Sequence, residues 1–467
     1  MKKRLGYLTA IIGFTAMSGC SDGSGGTGDS KPEAKENSAD LCGDGEDNDG
    51  DGALDCDDAE CLATAACVDS ESGDSDALEQ TIEEPGSDCK VPATDVTTVE
   101  FDALPEIEEM PDPFTMIDGT KVTSRSQWVC RRAEISHLLQ KWELGDKPDK
   151  PASVTGSMSD NVLTVTVSDG KDNELSFTAS ITYPTSGSGP YPAVIALAGG
   201  SLPADAILDL KAAIINFDND SMGDQGGFSG KGVRGNGQFF DFNGKVDAGA
   251  LLAWSWGVSR LIDALEVTPE ADIDPTRLAV TGCSRNGKGA LMIGALDNRI
   301  ALTIPQESGS GGVASWRVSE EDDAGENKIQ TLKSASTEQP WFRKTLVQFG
   351  SHVNKVPIDH HEVMGMVAPR GLLVLGNVEM EWLGRNSCDQ SAAAARLIFE
   401  ALGAKENIGH TESSHDHCVF PTDDIPVLEA FIKKFLFHED MNTDVWTVTS
   451  DFDTEKWADW TVPDLTK

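Results

Sequence analysis

Short apolar runs separated by helical stretches predict an α/β chain, with a mainly parallel sheet covered by helices on both faces in a three-layer αβα sandwich. Three observations carry this. The runs Pro192–Ala198, Ala212–Phe217, Arg277–Gly282, Leu302–Pro305 and Leu372–Asn377 are short and nearly continuous in apolar residues, as strands buried on both faces require. Segments of helical character, Ala248–Leu265, Gly289–Leu296 and Gln390–Leu402, lie between or after them. With 467 residues and 39% hydrophobic content, the chain can bury one large core and still carry accessory segments.

Taken in order, residues 1–20 place Lys2, Lys3 and Arg4 before an apolar stretch from Leu5 to Met17, then Ser18-Gly19-Cys20. That is the pattern of an export signal, too short to span a membrane, and its ending matches a lipoprotein cleavage site that would leave a lipidated Cys20. A simple secretory peptide is the alternative. An outer-membrane or cell-surface lipoprotein is therefore expected, or else a secreted or periplasmic protein. Nothing later in the sequence is apolar enough to cross a membrane.

Residues 21–88 form an acidic linker, because Ser21 to Glu84 is rich in Gly, Ser, Asp and Glu and almost empty of large apolar residues. Within it Asp47, Asp49, Asp51, Gly52, Asp55 and Asp58 take positions 1, 3, 5, 6, 9 and 12 of a calcium loop. Cys42, Cys56, Cys61 and Cys67 are available to staple it. A structural Ca²⁺ ion is the expectation, and a merely solvated acidic run is the alternative.

From Cys89 to the C-terminus, residues 89–467, the strands and helices accumulate. Two alternating runs, Val162–Val167 and Leu175–Tyr183, precede the buried ones, and no internal repeat is visible. The net charge of −41 excludes nucleic acid and anionic membrane surfaces as partners, since phosphate attraction would become repulsion. Any membrane contact would run through lipid on Cys20. Ten cysteines suit an oxidising compartment, and lipidation of Cys20 would leave an odd number.

The stretch TGCSRNGKGA, residues 281–290, directly follows an apolar strand. A serine on a sharp strand-to-helix turn is lifted above the sheet, and the N–H groups of the next helix point at the same spot. Ser284 is the candidate nucleophile and Arg285 a further donor to an oxyanion. The common elbow, Gly-x-Ser-x-Gly, is broken by Asn286, and a helix-capping serine is the bland reading. His417 in GHTESSHDHCVFP is the candidate base, with His415 as its rival; His360, His361 and His410 read as packing or surface histidines. Cys418 adjoins His417 as Cys283 adjoins Ser284, so bringing nucleophile to base would bring the two cysteines within bridging distance. The orienting carboxylate stays open among Glu307, Glu379 and Glu381.

The run VTGCSRNGKGALMIGALDNRIALTIPQESGSGG, with WRVSE, DHH, MVAPRGLL, EWLG and HDHCVFP in order, resembles the glucuronoyl esterases of carbohydrate esterase family 15 across roughly residues 89–440. In that family the nucleophile motif is Gly-Cys-Ser-Arg-x-Gly-Lys, which accounts for Gly287 arriving one residue late. The resemblance implies an α/β-hydrolase that cleaves esters between (4-O-methyl-)glucuronoyl side groups of xylan and lignin alcohols with no cofactor for catalysis. It implies Ser284 as nucleophile, Arg285 at the oxyanion, His417 as base and Glu307 as acid in the fungal-type arrangement, with Glu379 or Glu381 as the alternative seen in some bacterial members. Lys288, Gln330, Glu338 and Trp382 match sugar contacts. Cys283 with Cys418 and Cys89 with Cys130 match two disulfides. In the fungal pattern cysteines stand where this chain has Ser315 and Ser391, which leaves Cys388 as the odd thiol. A monomer acting on glucuronoxylan–lignin esters is expected. The rival readings are an acetyl or cinnamoyl xylan esterase of the same fold and a non-catalytic polysaccharide-binding lipoprotein.

Overall fold

The structure, a computed structural model, describes residues 99–226, 230–448 and 450–466. Among the described residues ten strands form one sheet in the order β1-β2-β3-β5-β4-β6-β7-β8-β9-β10. The strands are β1 Ser153–Ser159, β2 Val162–Ser168, β3 Glu174–Thr182, β4 Tyr191–Leu197, β5 Ala213–Phe217, β6 Ile273–Cys283, β7 Ile300–Gln306, β8 Gly371–Asn377, β9 Ile408–Ser413 and β10 Trp446–Thr447. β1, β2, β3 and β5 pair antiparallel, and every pairing from β5 to β10 is parallel. The expected three-layer α/β architecture is what forms.

The helices that matter here are α1 Arg125–Leu139, α2 Ala250–Glu266, α3 Arg285–Leu296, α4 Trp316–Asp323, α5 Leu332–Glu338, α6 Arg385–Ala401 and α7 Ile425–Phe437. Because side chains alternate along a strand, each central strand feeds two cores. Ala193, Ile195, Leu278, Val280, Leu372 and Val374 join the cluster built with α2, α3 and α6. Val194, Ala196, Ala279, Leu302, Leu373 and Leu375 pack with Leu428, Phe431 and Ile432 of α7 on the opposite face. Among the described residues no helix is long and apolar enough to cross a membrane.

Two helices start earlier than the sequence pattern suggests. α3 begins at Arg285 rather than Gly289, because β6 runs to Cys283 and only Ser284 separates strand from helix. α6 begins at Arg385, after Gly384 in the left-handed region with φ of 67°. The consequence for both is the same: polar first turns, invisible to apolar periodicity, face the C-terminal edge of the parallel sheet. That edge is where open α/β sheets place ligands. The acidic segment with Asp47, Asp49, Asp51, Asp55 and Asp58, the leader and Cys89 all lie outside the described residues.

Candidate active site

Ser284 occupies the N-cap position of α3 with φ of 58° and ψ of −124°, and its side chain makes no capping hydrogen bond. An ordinary capping serine is extended and accepts from the second or third helical N–H. Ser284 does neither, so the capping reading falls. Its own N–H donates to Gln306 O at 2.9 Å, and its carbonyl accepts Lys288 N at 3.1 Å, which fixes the turn. The turn is also why glycine stands at 282 and 287: an added Cβ at Gly282 would lie 2.4 Å from Asn286 O, and one at Gly287 would lie 2.5 Å from Gln306 O. Helix and strand approach too closely there for any side chain.

At the end of β7, the next parallel strand, Glu307 is 3% exposed and also has positive φ, 47°. His417 Nδ1 lies 2.6 Å from Glu307 Oε2, and Cys418 N donates to Glu307 Oε1 at 2.9 Å. Three further donors crowd the same carboxylate: Asn377 Nδ2 at 3.1 Å, Gln306 Nε2 at 3.1 Å and His415 Nε2 at 3.2 Å. Burial pushes the carboxyl pKa of Glu307 up, but the bonds from His417, Cys418 and Asn377 outweigh it and hold the group below its ordinary value. A buried carboxylate kept ionised this way fixes the imidazole by Nδ1 and leaves Nε2 for chemistry.

Cys283 and Cys418 are joined by a disulfide, with Cα atoms 5.7 Å apart across 135 residues of sequence. It ties the serine turn to the segment that bears His417. Glu379, by contrast, accepts from Ser414 Oγ at 2.6 Å, and Glu381 sits exposed in a short helical turn. The structure therefore sets Glu307 against His417. His415, read from sequence as a rival base, shares that carboxylate, and its Nδ1 faces Ser413 Oγ at 3.0 Å.

A family model described as glucuronyl esterase, fungi, matches residues 165–403. A 4-O-methyl-glucuronoyl methylesterase of Hypocrea jecorina is 45% identical over 359 residues, 76% of this chain and 75% of that protein. The glucuronoyl esterase catalytic domain from Hypocrea jecorina superposes with a TM-score of 0.73 at 45% identity, covering 78% of this chain and 98% of the other. The chain belongs to the glucuronoyl esterase family. A serine-to-alanine mutant from Sporotrichum thermophile, solved in complex with methyl 4-O-methyl-β-D-glucopyranuronate, matches at 43% identity with a TM-score of 0.73 over 78% of this chain and 97% of that one.

In this chain the residues that the family resemblance assigns to sugar contacts form one connected group. Lys288 is 2% exposed, and its ammonium donates to Ser308 O and Ser310 O, each at 2.6 Å, and to Gln330 Oε1 at 2.9 Å. Gln330 Nε2 donates onward to Glu338 Oε2 at 2.5 Å, and Gln330 N to the carbonyl of Trp382 at 2.9 Å. Burial lowers the Lys288 pKa to about 8, against a smaller opposing pull from Glu338. Trp341 covers the ammonium at 5.5 Å. All three donors of Lys288 are thus engaged within the protein, and the outward-facing polar member of the group is Glu338.

Beside the serine turn, Asn286 Oδ1 accepts from Asn219 Nδ2 at 3.1 Å and Gln225 Nε2 at 3.3 Å, so the residue that breaks the common elbow pattern anchors a buried amide network. Sequence reasoning missed Asn377, Gln306 and these amides. Gln306 and Asn377 end β7 and β8, a positional signal, whereas the amides of Asn219, Gln225 and Asn286 are chemically ordinary and lie off the strands. His360 and His361 are fully buried and bonded to Gly312 O and Pro111 O, which are packing roles. Cys130 is disulfide-bonded, while the expected partner Cys89 lies outside the described residues. Cys388 is buried and forms no disulfide among the described residues; Ser315 Oγ donates to Asp359 Oδ2 at 2.8 Å, and Ser391 is buried in α6.

Proposed function

We infer that this chain is a serine-type carboxylic ester hydrolase acting on (4-O-methyl-)D-glucuronoyl esters. The observation that carries the mechanism is the Glu307–His417 pair, tied by Cys283–Cys418 to the strained turn bearing Ser284. In the proposed cycle His417 Nε2 takes the proton of Ser284 Oγ as that oxygen attacks the uronoyl carbonyl. Arg285 and the first N–H groups of α3 hold the oxyanion. His417 then returns the proton to the departing alcohol, and a water activated by the same imidazole hydrolyses the glucuronoyl-enzyme. Each step is served by the chain's own groups.

The sugar side is assigned to Glu338, Gln330 and Trp382, with Lys288 acting through the Gln330 amide that it orients. The alcohols are proposed to be those of lignin and the sugar chain glucuronoxylan. Export is supported by the basic-apolar leader and by the oxidised Cys283–Cys418 pair. We extend it to a lipid-anchored protein whose residues 21–88 act as a tether with a Ca²⁺-holding segment at Asp47–Asp58, and whose residues 89–467 act as a monomeric catalytic unit. Paired rates on benzyl D-glucuronate and an acetylated xylan test the substrate. The uronate ester should be preferred by orders of magnitude; equal rates, or preference for acetyl groups, would replace this reading with the acetyl-xylan one.

A further inference from the structure

Underneath the site, between α6 and β9, three side chains of metal-ligating type converge. His410 and Glu412 stand two residues apart on β9 and so share one face of the sheet; Asp389 reaches them from the start of α6. One ligand atom from each lies within 4.8 Å of the others. The group is buried: Asp389 is 1% exposed, His410 is fully covered, and the Glu412 side chain is 1% exposed.

Its hydrogen bonding is incomplete. Among the described residues neither ring nitrogen of His410 has a hydrogen-bond partner, nor does Asp389 Oδ1. The His410 Nε2 to Asp389 Oδ1 separation of 3.8 Å is too long for a hydrogen bond and suits two ligands on either side of an ion. Buried polar atoms left like this bear their full desolvation cost, so the arrangement calls for an occupant. The carboxylates also call for positive charge, which Arg385, 3.9 Å from Glu412 Oε1, supplies from the rim.

Space is present as well. A cavity of about 10 Å³ beside the group is lined by Glu307, Gly376, Cys388, His410 and Glu412, room for one small occupant next to two of the three side chains. An added Cβ at Gly376 would stand 3.0 Å from Glu412 Cγ and 3.3 Å from His410 Nε2, so glycine keeps that space open. Trp446 closes the other side with its ring 5.6 Å from the His410 ring, perpendicular to it.

We propose that Asp389, His410 and Glu412 hold a divalent transition-metal ion of the zinc class, which pins α6 to β9. One imidazole nitrogen with two carboxylates is a donor set for zinc rather than for calcium or magnesium, which take oxygens alone. The ion has a bracing role: β9 runs directly into the segment bearing His415 and His417, and zinc holds that strand from below.

The test uses the full chain, stripped with a chelator and reloaded with Zn²⁺ in excess Ca²⁺, so that oxygen-ligand sites in the acidic segment are filled. Zinc per chain is then counted by mass spectrometry after gel filtration. Wild type should retain one more zinc than Asp389→Asn or His410→Gln, and Zn²⁺ should raise the wild-type Tm by several degrees while leaving the variants unmoved. Anomalous scattering at the zinc edge from wild-type crystals should place the ion among the three side chains, a reading that needs no variant to fold. Equal zinc counts in wild type and folded variants, or an anomalous map with no peak at this position, would overturn the proposal and leave a buried polar network.

Discussion

Glu307 shows how much of the site rests on one carboxylate. Five donors converge on it, from β7, β8 and the segment after β9, and two of them are histidines. A carboxylate has roughly four lone-pair directions, so this group is saturated and cannot turn away from His417. Because the fold holds its pKa below the ordinary value, it binds fewer protons folded than unfolded through the carboxylate range. It therefore adds stability above the unfolded pKa and loses it as pH falls through the lowered folded one. Glu307→Gln should flatten that acid limb in pH-dependent unfolding. It should also cut kcat by about 10⁴-fold by setting an amide N–H against the imidazole, as triad carboxylate swaps do. A variant retaining near-wild-type kcat would move the acid role to Glu379. Choosing among Glu307, Glu379 and Glu381 was beyond the sequence, because each follows a strand and nothing local separates them. The choice is made in space, by Asn377 and His415, which lie 70 and 108 residues away from Glu307.

The elements that carry the site are under strain at three points. Ser284, Glu307 and Cys418 all have positive φ, a region that costs a non-glycine residue of order 1–3 kcal/mol, and all three belong to or adjoin the proposed triad. The Cys283–Cys418 bridge spans 135 residues of sequence and ties one of these positions, Cys418, to the residue before another, Ser284. Cys283→Ser with Cys418→Ser should lower unfolding stability by about 2–5 kcal/mol and reduce kcat more than it raises KM, since it frees the base-bearing segment. Denaturant melts and steady-state rates on a uronate ester check this; unchanged kcat would show that the Glu307 contacts alone position His417. Legibility followed burial. The central strands were readable because both faces are apolar, whereas β1, with an alternating exposed and half-exposed pattern and no buried residue, left no signal and is specified by its register with β2. α1 escaped for the opposite reason. It buries Arg131, Arg132 and Glu134, which hides its period, and Arg131 reaches Glu362 at 2.6 Å, a partner only the tertiary fold supplies.

For the whole molecule, the net charge of −41 and the chemistry of the reaction point the same way. The ester substrate carries no carboxylate charge at the reacting group, but the product acid is an anion, so an acidic surface favours its departure. Inhibition by D-glucuronate should therefore strengthen a few-fold as salt screens the repulsion from roughly 0.01 to 0.15 M, with little change in KM for benzyl glucuronate. Salt-independent inhibition would remove electrostatics from product release. The three-layer fold and the Cys283–Cys418 bridge were legible, and Ser284 and His417 could be proposed as nucleophile and base, because the motif TGCSRNGKGA and the paired cysteines are local or simply spaced. The Lys288, Gln330 and Glu338 group was reached through family resemblance alone, since its members come from α3, a loop and α5. All of this converges on one side chain. In hydrolysis of benzyl D-glucuronate, Ser284→Ala that is folded by circular dichroism should lose at least about 10³-fold in kcat, retaining only what the oxyanion donors and binding supply; hydrolysis at the wild-type rate would contradict the assignment of Ser284 as nucleophile.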